Sequence, residues 1–252
     1  MTTTCTIARR ELASFLLSPV AYIVMVVFYL AFGLIFYLIV AGSNFATMEW
    51  TFDFTSLILV LAVPALTMRQ IAEERRLGTI EGILTAPVTH TSFVVGKFLG
   101  AFGFFLILLV PSAIHAWTLF HFSPAGPDPW KLASGYLGLV LLGAFMISFG
   151  LFCSSLTRSQ VVAALVGVVP LFLLWLLGTY VASMSPPATL QNSTWEAFLK
   201  ALYAGGKFIT FKEHFTPFCK GIIDLRDLVF FVSFVVFFLF LAVGAVANRK
   251  WR

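Results

Sequence analysis

Long apolar runs alternate with short polar breaks along the chain, and within each run the apolar residues are continuous. Six runs are near or above the roughly 20 residues a helix needs to cross a bilayer: Val20–Ala41, Thr55–Met68, Phe93–Phe120, Leu132–Leu156, Val161–Met184 and Leu228–Val246. The second is the shortest, contains Pro64, and reaches back as far as Phe52 on its widest reading. A membrane barrel would alternate lipid-facing and inward residues, which these runs do not. The pattern therefore predicts an all-α membrane protein with six transmembrane helices. Before the first run, Ala8, Leu12, Phe15 and Leu16 share one helical face, with Arg10, Ser14 and Ser18 opposite. That spacing predicts an amphipathic helix in the headgroup layer, ended by Pro19. Residues 1–18 thus form a cytoplasmic surface helix and 19–252 a six-helix membrane domain, with a cytoplasmic loop at 69–92 and an external segment at 185–227.

Composition agrees with the pattern. Hydrophobic residues are 60% of the chain, charged residues 11%, and 29 residues are Phe. A soluble domain carries about 25% charged residues. Ten of the sixteen Lys and Arg residues fall on the side of the two termini, which predicts that both termini are cytoplasmic in the cell (inner) membrane. The pI near 9.3 then reports topology. No basic stripe is interleaved with aromatics, so nucleic acid is not an expected partner. Arg9-Arg10 precedes an apolar run longer than a signal-peptide core, so the first run is expected to be an uncleaved anchor. Cys5, Cys153 and Cys219 leave one thiol on the external side, and no disulfide is expected. No CxxC or histidine cluster marks a metal site.

The predicted spans carry no Asp, Glu, Lys or Arg near their middles, which argues against an ion-driven relay. His115, toward the outer part of the third run, reads as a hydrogen-bonded interfacial histidine. No phosphate loop is present either: Gly96-Lys97 and Gly206-Lys207 are both followed by Phe, without the earlier glycine of a GxxxxGK motif. Any ATP chemistry must come from elsewhere. Gly96, Gly100 and Gly103, and again Gly135, Gly138 and Gly143, form small-residue faces expected to pack within the subunit. Pro170 is expected to kink the fifth span.

The densest charge lies in Arg69–Thr91. Met68–Leu77 reads as a helical extension of the second span, stopped by Gly78. Thr79 caps a second short helix, Ile80–Ala86, with Glu81 in its first turn and Pro87 at its end. Thr89 or Thr91 then caps the third span. On the external side, Trp195, Phe198, Leu199 and Leu202 predict a surface helix, Phe208–Ile223 a segment that dips in and returns, and Asp224 with Asp227 the start of the last span.

The run Glu73-Glu74-Arg75-Arg76-Leu77-Gly78-Thr79-Ile80-Glu81, followed by Leu84-Thr85-Ala86-Pro87-Val88 and Gly96-Lys97, resembles the loop signature of ABC-2 type transporter permeases. Arg9-Arg10-Glu11-Leu12 with Ser18–Tyr22, and His214-Phe215 through Asp227, are similar to the gliding-motility-type branch. The resemblance implies a non-catalytic half-transporter driven by a separate ATPase subunit, with ATP and Mg on that partner and no cofactor on this chain. It implies an ATPase-coupling surface formed by Glu73, Glu74, Arg75, Arg76, Gly78, Thr79, Glu81, Leu84 and Pro87. It implies further that the helix carrying Arg9, Arg10 and Glu11 is the family's interface helix and that a second permease copy or paralogue completes the pathway. The reading is an exporter subunit. The alternatives are an ATP-independent transporter and a membrane scaffold for a surface or motility machine. The letters do not name the cargo; an apolar pathway favours amphipathic molecules over small ions.

Overall fold

The computed structural model describes residues 3–42, 47–78, 88–122, 126–183, 205 and 208–248, and the regular elements among them are all helical. In order they are α1 (Thr3–Leu17), α2 (Pro19–Gly42), α3 (Glu49–Thr67), α4 (Ala72–Leu77), α5 (His90–Leu109), α6 (Ala113–Phe122), α7 (Pro129–Leu156), α8 (Gln160–Ser183), α9 (Phe211–Cys219) and α10 (Leu225–Ala247). Six stretches are long and apolar enough to cross a membrane: α2, α3 through α4, α5 through α6, α7, α8 and α10. They coincide with the six predicted runs; the predicted end of the fifth at Met184 lies outside the described residues.

The second span starts earlier than its hydropathy suggested, at Glu49. Its opening turns are polar by composition, and two of their hydroxyls are satisfied within the helix. Thr55 donates to the Thr51 carbonyl at 2.6 Å and Ser56 to that of Asp53 at 2.6 Å, so both residues are buried without an unmet hydroxyl. The third span is interrupted at Pro111 by a 3₁₀ turn, Val110–Ser112. Proline lacks the N–H that would continue the ladder. Carbonyls beside the break are taken up instead by side chains: Tyr29 on α2 donates to Leu108 O at 3.0 Å, and Ser112 to Leu109 O at 2.7 Å. α8, by contrast, runs through Pro170 without interruption.

The most buried span is α7, which packs on α3, α5, α8, α9 and α10. Its glycines are notches for bulky neighbours: Gly135 faces Phe52, Gly138 faces Phe215 and Phe218, and Gly143 faces Phe105. The predicted small-residue face on this span is therefore spent inside the subunit. Phe145 on α7 meets Phe211, Phe231, Phe234 and Phe238, at centroid separations of 5.8–6.2 Å. Tilted and edge-on pairs of this kind let much of the phenylalanine content fill one core.

Residues 208–223 contain α9, whose Phe211, Phe215 and Phe218 are fully buried against the spans. The segment is thus a short helix tucked into the bundle. The predicted surface helix at Trp195–Leu202 lies outside the described residues. Asp224 caps α10 by accepting from Arg226 N at 3.0 Å, as its position predicted.

Candidate functional site: a buried lysine shared by three elements

The end of the bundle that carries α1 and the C-terminal end of α10 is called here the near end. There α3 does not extend straight to Leu77 as the sequence suggested. It stops at Thr67, turns through residues 68–71, and resumes as α4. The break is held from outside the loop. Ser154 Oγ on α7 accepts from Ile71 N at 3.2 Å and Ala72 N at 3.1 Å, and donates to Met68 O at 3.0 Å. One hydroxyl thus satisfies backbone groups on both sides of the corner, which would otherwise be buried unpaired. At the far end of α4, Gly78 adopts the left-handed conformation (φ 71°), the stop its position predicted. Glu73 and Glu74 in the first turn of α4 and Arg75 and Arg76 in its last complement the helix dipole.

Against this corner lies α1, seated along α5. A Cβ on Gly96 would approach Ile7 Cγ2 to 2.7 Å, and one on Gly100 would press on Glu11 and reach Ala8 O at 3.0 Å. Only glycine permits this approach of two backbones. Phe15 stacks on Phe104 at 5.2 Å, joining α1 to a small cluster that includes Ala21 and Leu66. The half-buried stripe of α1 includes Ile7, Ala8, Glu11, Leu12 and Phe15, rotated from the predicted face: Leu16 is exposed and Glu11 points inward. The glycine notch and a single cation set that rotation.

The cation is Lys97, in the second turn of α5 and 1% exposed. Its Nζ donates to Glu11 Oε1 on α1 at 2.9 Å and to Glu74 Oε1 on α4 at 2.8 Å, with the Phe93 ring 5.1 Å away. Three elements far apart in the chain thus meet on one ammonium, with two carboxylates to its one charge. Removing a partner from a buried ion pair strands charge in low dielectric and costs about 3–5 kcal/mol. Both bonds engage Lys97 with carboxylates, so it is not placed to hold a phosphate.

Of the predicted coupling residues Glu74 is in this cluster, and of the predicted interface-helix residues Glu11. Glu73 pairs instead with Arg69 at 3.1 Å on the surface, a contact worth little alone. Arg75 donates to the Ala245 carbonyl of α10 at 3.1 Å, tying α4 to the last span. Arg76, Leu77, Gly78, Arg9 and Arg10 are exposed around the cluster. Thr79, Glu81, Leu84 and Pro87 lie outside the described residues. Thr89 caps α5, accepting from Ser92 N at 3.1 Å. Lys97 itself was read only as part of a motif. The available signal was a lysine set between Gly96 and Gly100, the two positions that admit another helix.

The far end of the bundle holds a second polar group of different design. Lys212 on α9 pairs with Asp53 on α3 at 3.2 Å, donates to Thr179 Oγ1 at 3.0 Å, and sits 4.7 Å from the Trp175 ring centroid. Trp175 in turn donates to Ser56 Oγ at 3.0 Å. His214 Nδ1 meets Asp227 Oδ1 at 2.7 Å, its Nε2 lies 3.1 Å from Phe208 O, and its ring stacks on Phe230 at 3.8 Å. Nearby Cys219 is buried; burial pushes its thiol pKa up, and the charges of Asp53 and Glu49 push it further. His115 hydrogen-bonds Ser112 O at 3.2 Å and packs edge-on to Phe32 and Phe36, matching the plain reading of that residue.

Residues 5–211 match the family model described as ABC-2 family transporter protein, which spans most of the helices above and the whole near-end cluster. The chain belongs to the ABC-2 transporter family. This ABC-2 permease is also similar to the probable multidrug ABC transporter permease YbhR of Escherichia coli, in strains K12 and O157:H7. The similarity is 30% identity over 141 residues, covering 56% of this chain and 37% of the relative, so the chain spans little more than a third of the relative's length. An ABC-2 permease is an integral membrane protein, and its family normally works with an ABC ATPase in the lipid bilayer.

Proposed function

We propose that this ABC-2 permease is the membrane half of an exporter, driven by a separate ATPase chain that grips the α4 loop. Both termini face the cytoplasm in this reading, ATP and Mg bind the partner, and a second permease copy or paralogue completes the pathway. The observation that carries it is the Lys97 cluster. Displacing α4 pulls on Glu74, and through the shared ammonium that pull reaches the interface helix at Glu11 and the third span at Lys97. Arg75 carries the same displacement to α10. Exposed Arg76, Leu77 and Gly78 offer the outer surface for the partner.

The cargo suited to this chain is amphipathic and membrane-soluble, an inference that the multidrug name of its relative supports. The finer placement in the gliding-motility-type branch rests on the resemblance of Arg9–Leu12 with Ser18–Tyr22 and of the His214–Asp227 segment. The reading is tested by purifying the permease with its candidate ATPase and reconstituting both in vesicles. ATP-dependent movement of an amphipathic dye, lost when the ATPase is omitted, is the expected result. Equal movement by the permease alone would overturn it in favour of an ATP-independent transporter.

A further inference from the structure

Between the second half of α1 and the α3–α4 corner runs a groove of about 880 Å³. Its polar part is walled by Arg10, Glu11, Arg69, Gln70, Glu73 and Glu74, with Lys97 at its base: three cations and three carboxylates around one space. The Gln70 residue is only 6% exposed, and among the described residues neither its amide oxygen nor its amide nitrogen has a hydrogen-bond partner. A buried amide with both ends unmet is costly, and here it borders a groove large enough to hold what it lacks.

The depth of the groove says what is there to be bound. Its apolar side includes Pro19 and Val20, the first residues of α2, and Leu66 in the last turn of α3. The 24 residues of α2 rise about 36 Å, enough to fill the hydrocarbon and set Pro19 at headgroup level. Leu17, 82% exposed, faces out beside it. A space at that level, half charged and half apolar, is matched by a phospholipid.

We infer that the groove holds the headgroup of a zwitterionic lipid bearing a phosphate and a primary ammonium, phosphatidylethanolamine in chemical class. Its walls balance to no net charge, so an anionic headgroup gains nothing overall. Arg10, exposed and without an ion pair among the described residues, takes the phosphate together with the guanidinium nitrogens of Arg69 that do not face Glu73. The ammonium has three donors for the carboxylates of Glu73 and Glu11, which a choline group lacks. Gln70, whose amide lies buried in the wall of the groove, gains a partner there once its side chain rotates toward the headgroup. The lipid thereby clasps the interface helix to the α3–α4 corner. This proposal does not depend on transport direction or on the ATPase.

The test is lipid retention by the purified full chain, taken from mixed micelles with equal phosphatidylethanolamine, phosphatidylcholine and phosphatidylglycerol and read by native mass spectrometry. Ethanolamine lipid should be retained about tenfold over the other two, the ratio expected for a few added charge-assisted hydrogen bonds. Gln70→Leu and Arg10→Gln should each bring that ratio toward one, while Arg158→Gln, outside the groove, leaves it unchanged. Arg10 is exposed, so its variant reports on binding even if Gln70→Leu fails to fold. Equal retention of all three lipids, a preference for the anionic lipid, or wild-type retention by Arg10→Gln overturns the inference. Soluble glycerophosphoethanolamine should not displace the lipid at millimolar concentration; displacement would assign the groove to a water-soluble ligand instead.

Discussion

The two ends of the bundle use buried charge in opposite ways. At the far end each basic side chain has its own carboxylate and further fastenings: Lys212 has Asp53, Thr179 and the Trp175 ring, and His214 has Asp227, Phe208 O and the Phe230 ring. At the near end one ammonium serves two carboxylates from separate elements, beside an open groove. The far end is closed with matched pairs. The near end hangs a short helix, α4, which touches the spans at few points, on an ammonium that it shares with α1. The difference suits a molecule anchored at one end and moved at the other.

The sharpest way to break the comparison is Lys97→Met. It should cost about 3–5 kcal/mol by leaving Glu11 and Glu74 facing each other, and should free α1. Hydrogen exchange over residues 3–17 in nanodiscs, together with loss of ATP-driven transport, checks this; unchanged protection of α1 would contradict it. Next is Gly100→Val, which forces α1 off its seat and should cost about 1–3 kcal/mol by overpacking. Gly103→Ala is its control, since a Cβ there meets Leu12 only at ordinary van der Waals distance, 3.7 Å. Thermal melts of the two variants side by side decide the point.

At the far end, His214→Gln should lower stability by about 1–3 kcal/mol, because Asp227 loses its buried partner. It should leave ATPase coupling intact, whereas Lys97→Met does not. If both variants uncouple hydrolysis from transport equally, the two ends do not differ in the way argued. The smallest effect is expected from Arg76→Gln, whose side chain is exposed. Its melting should stay within about 0.5 kcal/mol of the parent while co-purification of the ATPase weakens. A normal yield of complex would remove Arg76 from the coupling surface.

Much of the fold was legible because it follows from local rules. Continuous apolar runs set the six spans, and Gly78, Thr89 and Asp224 stop or cap helices by the chemistry of their own side chains or backbone. The site was legible only in part. Glu74 and Glu11 could be singled out from the loop signature and the interface helix, but their meeting at Lys97 required α1, α4 and α5 to converge. Sequence separations of 86 and 23 residues hide such a meeting. The corner at 68–71 was hidden for the same reason: the residues around it favour helix, and the hydroxyl that bends it lies 83 residues away from Ile71. The inward turn of Glu11 likewise follows from the glycine notch on another helix, which hydrophobic periodicity alone cannot register.

That hydroxyl has a mechanical meaning. If Ser154 let go of Met68, Ile71 and Ala72, nothing in the local letters forbids the elbow from straightening. The second span and α4 would then merge into one rod of 29 residues, about 43 Å long and well beyond the thickness of a bilayer's oily layer. A serine on the most deeply buried post of the bundle thus chooses between a crank and a piston, and it does so with a group no larger than a water molecule.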